Sequence, residues 1–252
     1  YRMHIHVPFE NRYSPIDYTM ELGTIQKVMM ENLLDQVNNK KRDKDKIKLI
    51  SVNPDEIAVV AVSPGHGLSR IFASLGVAAI VEGGQTMNPS IKEILAAFEN
   101  LPTDKIIILP NNKNIQLAAE KAAAVTVKNV AVIPTRNTPQ GFSALLRLIP
   151  NGELEENVEA MMEAIREVET GEITTATRTI EIDDVEVQKG QVIALLNGKL
   201  IASTQSIDEA CIRLLEKAQV ENYERITLFY GENMPLSHVN KIADWIQTTY
   251  PE

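Results

Sequence analysis

The sequence predicts an α/β protein with two α/β subdomains, the first of which is a doubly wound, mostly parallel sheet. Short apolar runs alternate with segments of helical periodicity between residues 57 and 148. The runs are apolar apart from some terminal residues, as in a sheet covered by helices on both faces, and a polar loop follows each run. Such alternation implies right-handed crossover connections between parallel strands. Residues 51–150 are therefore predicted to form the first α/β subdomain.

Residues 1–50 precede this alternation and are predicted to be the end of a small α+β domain with its linker. Residues 3–7 alternate as a short strand, and residues 18–37 carry apolar side chains at helical spacing. The basic run at residues 39–46 is interrupted by aspartates, which is typical of a solvated linker. Because the sequence begins with Tyr1 rather than methionine, we expect it to be part of a longer protein.

The elements of the first subdomain follow from the apolar runs and from the helical patterns between them. Each predicted strand is short and rich in Val, Ile and Ala. The predicted strands are residues 57–62, 78–82, 105–109 and 129–133, and the predicted helices are residues 67–74, 89–100, 115–124 and 139–148.

Residues 151–252 are predicted to form the second α/β subdomain, which contains a β-meander. Residues 172–203 are rich in β-branched residues and contain two turn signals, Asp183-Asp184 and Asn197-Gly198, the second of which strongly indicates a hairpin. Cys211, the only cysteine, has the helical spacing of a buried core residue. The sheet is expected to continue beyond the last residue. The remaining predicted elements are helices at 155–168, 207–218 and 236–250 and a strand at 225–230.

Composition and charge limit the classes of function. A formal net charge of −9 argues against a protein that binds nucleic acid or an anionic membrane. A single cysteine excludes an intrachain disulfide and fits the cytoplasm. The sequence shows neither a signal peptide nor an apolar stretch long enough to span a bilayer. We therefore expect a cytoplasmic protein.

The candidate site residues lie in the loops that follow the four predicted strands. Because the carboxyl ends of parallel strands meet at one edge of a sheet, these loops are expected to converge on one crevice. Arg136 would be the main anion partner there, since its guanidinium suits a carboxylate or a phosphate. The candidates are Gly65, His66 and Gly67; Gly83, Gly84, Gln85, Thr86, Asn88 and Ser90; Asn111, Asn112 and Asn114; and Thr135 and Arg136.

Each of these loops also has a purely structural interpretation. The glycines permit tight turns, and Asn88 is expected to be the N-cap of a helix that has Pro89 in its first turn. The loop at residues 63–67 matches neither nucleotide-binding glycine motif. Caps and turns therefore remain an alternative to binding.

No set of residues predicts catalysis or a metal centre. Ser63 and His66 are close in sequence, but a nucleophile elbow and an orienting acid are missing. His4 and His6 would share one side of a strand, which permits metal ligation, but the chain offers no third ligand. We therefore interpret His4 and His6 as structural histidines and as weak metal candidates only.

Three loop motifs and two shorter ones carry a resemblance to a known family. The stretches at residues 82–90, 108–114 and 132–136, together with Tyr230-Gly231-Glu232 and His4-Ile5-His6, resemble the carboxy-terminal region of the dihydroxyacetone-kinase-like fatty acid kinase A subunits. The resemblance covers essentially the whole chain. It implies a fold similar to DegV proteins and dihydroxyacetone kinases.

The resemblance also implies a function. In that family a separate amino-terminal domain, related to the nucleotide-binding (DhaL) subunit of dihydroxyacetone kinase, holds Mg-ATP, and a DegV-like fatty-acid-binding protein presents the acyl substrate. The product is an acyl phosphate for phospholipid synthesis. This chain would then be a non-catalytic region, with no cofactor of its own, that docks the partner and the amino-terminal domain and could form a homodimer.

Two other functions stay open. The loop crevice could bind a fatty acid or a phosphorylated metabolite as a free-standing module, with buried apolar area supplying the affinity. Alternatively, the chain could have dihydroxyacetone-kinase-type activity, for which His66 is the loop histidine that could hold the substrate covalently.

Overall fold

The computed structural model describes Ser14, Tyr18 and residues 47–84, 87–182, 185–231 and 233–251. The chain divides into two compact units, Tyr1–Ile47 and Lys48–Glu252. The predictions for His4, His6 and the linker fall outside the described residues. The predicted division of the second unit near residue 150 stays a prediction.

A four-stranded parallel sheet forms the core of the larger unit, which confirms the predicted α/β fold class. Its strand order is β2-β1-β3-β4. The predicted strands and helices of this region are all present, with ends shifted by three residues at most. The strands are β1 Ala58–Ser63, β2 Ala79–Glu82, β3 Lys105–Leu109 and β4 Asn129–Val132, and the helices are α1 His66–Ser74, α2 Ile91–Phe98, α3 Gln116–Ala124 and α4 Thr138–Leu145.

Helices cover both faces of this sheet. Alternate side chains of a strand point to opposite faces, so Val60 packs with α2 and α3 whereas Val59 packs with α1 and α4. On the second face Phe72 of α1 contacts Phe142 of α4, with ring centroids 4.4 Å apart. Helix α5, Leu154–Glu167, adds buried side chains to the same face. This double burial explains why the strands lack polar alternation.

A second, antiparallel sheet follows α5. Its strands β5 (Gly171–Thr175), β8 (Val192–Leu196) and β9 (Lys199–Thr204) lie in the order β5-β8-β9. The predicted Asn197-Gly198 hairpin joins β8 to β9, and both residues have positive φ, 50° and 77°. A two-residue turn of this kind requires positive φ at both positions, which Asn and Gly tolerate. Strands β6 (Ile180–Ile182) and β7 (Val185–Val187) form a separate hairpin, with the predicted Asp183-Asp184 turn outside the described residues.

Two helices complete the second half of the chain. Helix α6, Ile207–Ala218, packs on β8 and β9, and Cys211 is buried there as predicted. Helix α7, Leu236–Thr249, packs beside α6 through Ile246.

The predicted strand at residues 225–230 is wrong. These residues are irregular, exposed and unpaired with any strand in the described part of the chain. Phe229 instead stacks on Phe142, with ring centroids 5.4 Å apart. Alternating β-branched and aromatic residues favour a strand, but a strand also needs a neighbour whose backbone can pair with it.

The N-cap predicted at Asn88 is also wrong, because Ser90 caps α2. The Glu93 N–H donates to Ser90 Oγ over 3.2 Å, and the Ser90 N–H donates to Glu93 Oε2 over 2.7 Å. These hydrogen bonds from Ser90 lower the pKa of Glu93. The reciprocal pair is a capping box, which satisfies two backbone donors instead of one. Asn88 remains exposed.

Asn111 joins three elements at the carboxyl edge of the parallel sheet. It is buried and has a left-handed backbone, with φ of 55°. Its Nδ2 donates to the Val62 carbonyl over 2.8 Å, and its backbone N–H donates to Thr135 Oγ1 over 2.9 Å. Its side chain lies against Gly141, where a Cβ would overlap Asn111 Oδ1. Asn111, the second residue after β3, is therefore fixed to the end of β1, the loop after β4 and helix α4.

Gly141→Ala is expected to lower the free energy of unfolding, although alanine normally favours a helix. The added methyl would displace the Asn111 amide, and we expect a net loss of about 1–3 kcal/mol. The matched control is Gly67→Ala in α1, where a Cβ would meet nothing within 4 Å. That control should be neutral or gain up to about 1 kcal/mol from helix propensity. Urea unfolding of both variants measures this, and equal changes would contradict the close contact.

Asn111→Ala is expected to lower the free energy of unfolding by about 2–4 kcal/mol, because it removes a buried hydrogen bond and places alanine at positive φ. Asn112→Ala is the neighbouring control. Asn112 is only half-buried, and its Oδ1 accepts a single N–H, from Asn114 at 2.8 Å. The control should lose about 1 kcal/mol or less. Similar losses in the two variants would show that Asn111 does not hold this edge together.

Candidate binding site at the carboxyl edge of the parallel sheet

The four predicted loops do emerge at one edge of the parallel sheet. Strand β2 lies on one side of β1, whereas β3 and β4 lie on the other, so the chain direction around the sheet reverses between β1 and β3. In open α/β sheets the loops spread apart at such a point and leave a crevice beyond the carboxyl ends of the strands. The loops after β1 and β3 flank this reversal.

The loop after β2 packs closely against the loop after β1. A Cβ on Gly83 would lie 2.7 Å from Pro89 Cδ and 2.8 Å from Val62 Cγ1, and a Cβ on Gly84 would lie 2.8 Å from Pro64 Cβ. The Gly83 N–H also donates to the Ser63 carbonyl over 3.1 Å. The two glycines therefore allow close packing of two loops. Gln85 and Thr86, the next two candidates, lie outside the described residues.

The loops after β3 and β4 meet through buried polar side chains. Asn111 is 7% exposed and Thr135 is fully buried. Their hydrogen bond, described above, forms the floor of the edge rather than its rim. Asn112 and Asn114 form a local turn through their 2.8 Å hydrogen bond, and Asn114 is exposed.

Arg136 lies on the rim, and no amide oxygen of the described residues holds its side chain. Its backbone N–H donates to Gln140 Oε1 over 2.8 Å. The residue is exposed, and its guanidinium makes no hydrogen bond or ion pair with any described residue. In the neighbouring loop, Asn111 Nδ2 donates to the Val62 carbonyl and Asn112 Oδ1 accepts the Asn114 backbone N–H, so both bind backbone groups instead.

The start of α1 is open at the same edge. Gly65 is the N-cap, with φ of 80° and no side-chain cap. Ser69 donates to the Gly65 carbonyl through both N–H, at 3.2 Å, and Oγ, at 2.9 Å. His66 and Gly67 are exposed, and a Cβ on either Gly65 or Gly67 would meet nothing within 4 Å. The first helical turn therefore presents backbone N–H groups to the surface.

Candidate residues of the loop after β2 differ in what their side chains do. Ser90 is occupied by its capping box with Glu93. Asn88 is exposed and is the candidate in this loop with an accessible side chain among those described. A binding role for each candidate remains a prediction.

Three buried features of this edge were not predicted from sequence. The Ser63 hydroxyl and Asn111 Oδ1 are buried without a hydrogen-bond partner among the described residues. Phe142 carries the stack of Phe72 and Phe229 on its two sides. Gly141, which Asn111 contacts, could have been suspected from a glycine inside a helical pattern, which often marks a close approach.

The described residues also lack two features that mark other classes of protein. No group of three or more His, Cys, Asp and Glu side chains in that part of the chain is placed to hold a metal ion. None of the helices that the structure describes combines the length and the apolar character needed to cross a membrane.

Comparison with known proteins identifies the family. Residues 58–252 match the family of C-terminal regions of fatty acid kinase A-like subunits. An uncharacterised protein of Staphylococcus epidermidis strain RP62A is 36% identical over 252 residues, which cover 98% of this chain and 46% of that protein. An uncharacterised protein of Staphylococcus aureus strain USA300 is 34% identical over 254 residues, covering 100% of this chain and 45% of the relative.

The chain spans just under half the length of these curated relatives. The match to the family covers the strands β1 to β9 and the helices α1 to α7. The resemblance inferred from the loop motifs is thereby confirmed, and the chain belongs to the family of C-terminal regions of fatty acid kinase A-like subunits.

Proposed function

We propose that this chain docks the fatty-acid-binding partner of a two-component fatty acid kinase. In the whole enzyme, a separate amino-terminal domain would bind Mg-ATP, and a DegV-like protein would present the fatty acid for conversion to an acyl phosphate. The family match supports a role in such a multi-subunit kinase.

The observation that carries the docking proposal is an exposed apolar segment beside the carboxyl edge, residues 226–230. Ile226, Leu228 and Tyr230 are 36%, 39% and 53% exposed. Three large apolar side chains at alternate positions of one segment are seldom all exposed unless they bind something. Phe229 anchors the segment by stacking on Phe142. The stacking of Phe229 on the buried Phe142 ring therefore fixes the segment while its apolar side chains face solvent, as docking residues do.

Helix α4 connects this segment to the polar edge. Phe142 lies in its second turn, and Asn137 caps its N-terminus next to Arg136. At 1.5 Å per residue, the first helical residue, Thr138, and Phe142 are about 6 Å apart along the helix axis, and Arg136 lies two residues before Thr138. One protein partner that buries about 800 Å² on this side would cover both. The surface would then combine an apolar centre with a positive rim, which is the usual anatomy of a protein interface.

Leu228→Asp is expected to weaken binding of the fatty-acid-binding protein at least about tenfold, because it places a charge at the centre of the interface. Leu117→Asp is the matched control, since Leu117 is 60% exposed on α3, on the opposite face of the parallel sheet. Isothermal calorimetry with the purified partner measures both affinities. Equal affinities for the two variants would exclude residues 226–230 as the docking surface.

Arg136→Ala is expected to weaken the same interaction about three- to tenfold and leave the unfolding temperature unchanged, because the guanidinium has no described partner. Lys121 is an exposed cation in the last turn of α3, and Lys121→Ala should change neither the affinity nor the unfolding temperature. The loss should shrink as the salt concentration rises. Fatty acid kinase activity of the full-length protein carrying each substitution gives a second readout. A lower unfolding temperature with unchanged affinity would mean that Arg136 is structural.

Binding of a small molecule in the same edge is the alternative. It predicts a lipid or a phosphorylated metabolite in the denatured, purified chain, which mass spectrometry would detect. The buried Ser63 hydroxyl without a described partner is the feature that favours it. A clean spectrum, together with partner binding by the wild-type chain, would favour docking.

A further inference from the structure

The sequence contains two Asn-Gly pairs, Asn151-Gly152 and Asn197-Gly198, and both asparagines are exposed. Such a pair is chemically labile, because glycine has no Cβ to shield its backbone nitrogen. The nitrogen attacks Cγ of the asparagine side chain, and the side-chain NH2 leaves as ammonia with the proton of the backbone N–H. Water then opens the resulting succinimide ring to aspartate or isoaspartate. The net reaction exchanges a water molecule for ammonia and involves no oxidation or reduction.

The amide of Asn197 is held at both ends. Its Oδ1 accepts the Thr170 backbone N–H over 3.1 Å, and its Nδ2 donates to Glu169 Oε2. The Asn197 backbone N–H also donates to the Thr170 carbonyl over 2.8 Å. Ring closure would tie Cγ to the Gly198 nitrogen and expel Nδ2, so the amide cannot react while both of its hydrogen bonds persist.

The amide of Asn151 makes no hydrogen bond with a described residue, since Asn157 is the side chain that bonds the turn around it. Asn151 lies in the turn before α5, where the Gly152 N–H donates to the Ile149 carbonyl over 2.9 Å. That bond engages the attacking nitrogen, but it is a single bond of a local turn, and exchanging it for a bond to water costs little. The two asparagines are alike in exposure and differ in how their amides are bonded.

We propose that Asn151 is a site of spontaneous deamidation and that Glu169 and Thr170 protect Asn197 from the same reaction. The inference rests on these hydrogen bonds alone and is independent of partner docking.

The two positions also differ in what the reaction would change. At residue 197 an aspartate product would lose the Nδ2 donor and bring a second carboxylate against Glu169, and like charges this close repel. The hairpin between β8 and β9 would then lose its attachment to the segment before β5. At residue 151 an isoaspartate product would lengthen the backbone next to Pro150, whose carbonyl accepts the Ile57 N–H over 2.8 Å.

Peptide mass mapping of the folded chain during incubation at mildly alkaline pH measures both reactions. We expect Asn151 to deamidate at least about tenfold faster than Asn197, because two amide hydrogen bonds slow the second reaction. In concentrated urea both amides are free, and the two rates should become similar. Asn151→Gln should remove the faster product, which identifies the site.

Two exposed acids provide the matched variants. Glu169→Ala removes the acceptor of Asn197 Nδ2 and should raise the deamidation rate of Asn197 about three- to tenfold without changing that of Asn151. Glu163, on α5, has no hydrogen bond to either asparagine, so Glu163→Ala should change neither rate. Circular dichroism checks that both variants fold, and the rate at Asn151 serves as the internal standard.

Several results would overturn the proposal. In the folded chain they are the absence of reaction at Asn151, equal rates at the two asparagines, or a faster reaction at Asn197. An unchanged rate at Asn197 in the Glu169→Ala variant would also overturn it. A difference in rate that persists in urea would assign the effect to neighbouring residues in the sequence and would exclude protection by Glu169 and Thr170.

Discussion

The carboxyl edge of the parallel sheet depends on the amide of one residue, Asn111. Its side chain bonds the end of β1 while its backbone bonds the loop after β4, and the residue makes both bonds from a left-handed backbone. Asparagine is one of the few residues that combine tolerance of that conformation with a donor of the right length. The contact is possible only because residue 141 has no Cβ. A fixed position for β1, β4 and α4 in turn fixes where Arg136 and Phe142 lie.

Sequence patterns predicted most of the fold, because they report local requirements. Apolar runs fixed the four parallel strands, and Asn197-Gly198 fixed a hairpin, since each depends on a few neighbouring residues. The strand prediction for residues 225–230 failed because a strand also has a requirement that is not local. Their spacing favours a strand, but pairing depends on a distant backbone that no local pattern reports. The prediction of the N-cap failed because Asn88 and Ser90 are both good capping residues, and only the reciprocal hydrogen bond with Glu93 decides between them.

Topology predicted that the candidate site residues would share an edge, but not how each side chain would be used. The Thr135 hydroxyl accepts the Asn111 backbone N–H, and Asn111 Nδ2 donates to a backbone carbonyl. Ser90 caps its own helix. Polar residues in a loop satisfy the chain's own donors first, because an unpaired buried donor costs more than a surface bond returns. What remains for a ligand or partner is a set of exposed side chains, those of His66, Asn88, Asn114 and Arg136. A rigid, internally bonded floor under a few exposed groups is a preorganised surface, which loses little entropy on binding.

A cleft between α6 and α7, lined by Cys211 and Trp245 among others, differs from the carboxyl edge in how it is supported, and that difference determines what a bound molecule could change. The edge rests on a sheet buried on both faces. Helix α7 instead has a single buried residue, Ile246, so its position depends on a small apolar contact with α6. A molecule that fills the cleft adds buried area where the helix itself has little. Binding would therefore stabilise α7 against local opening far more than it would stabilise the parallel sheet, because a ligand stabilises only the elements whose native packing it requires.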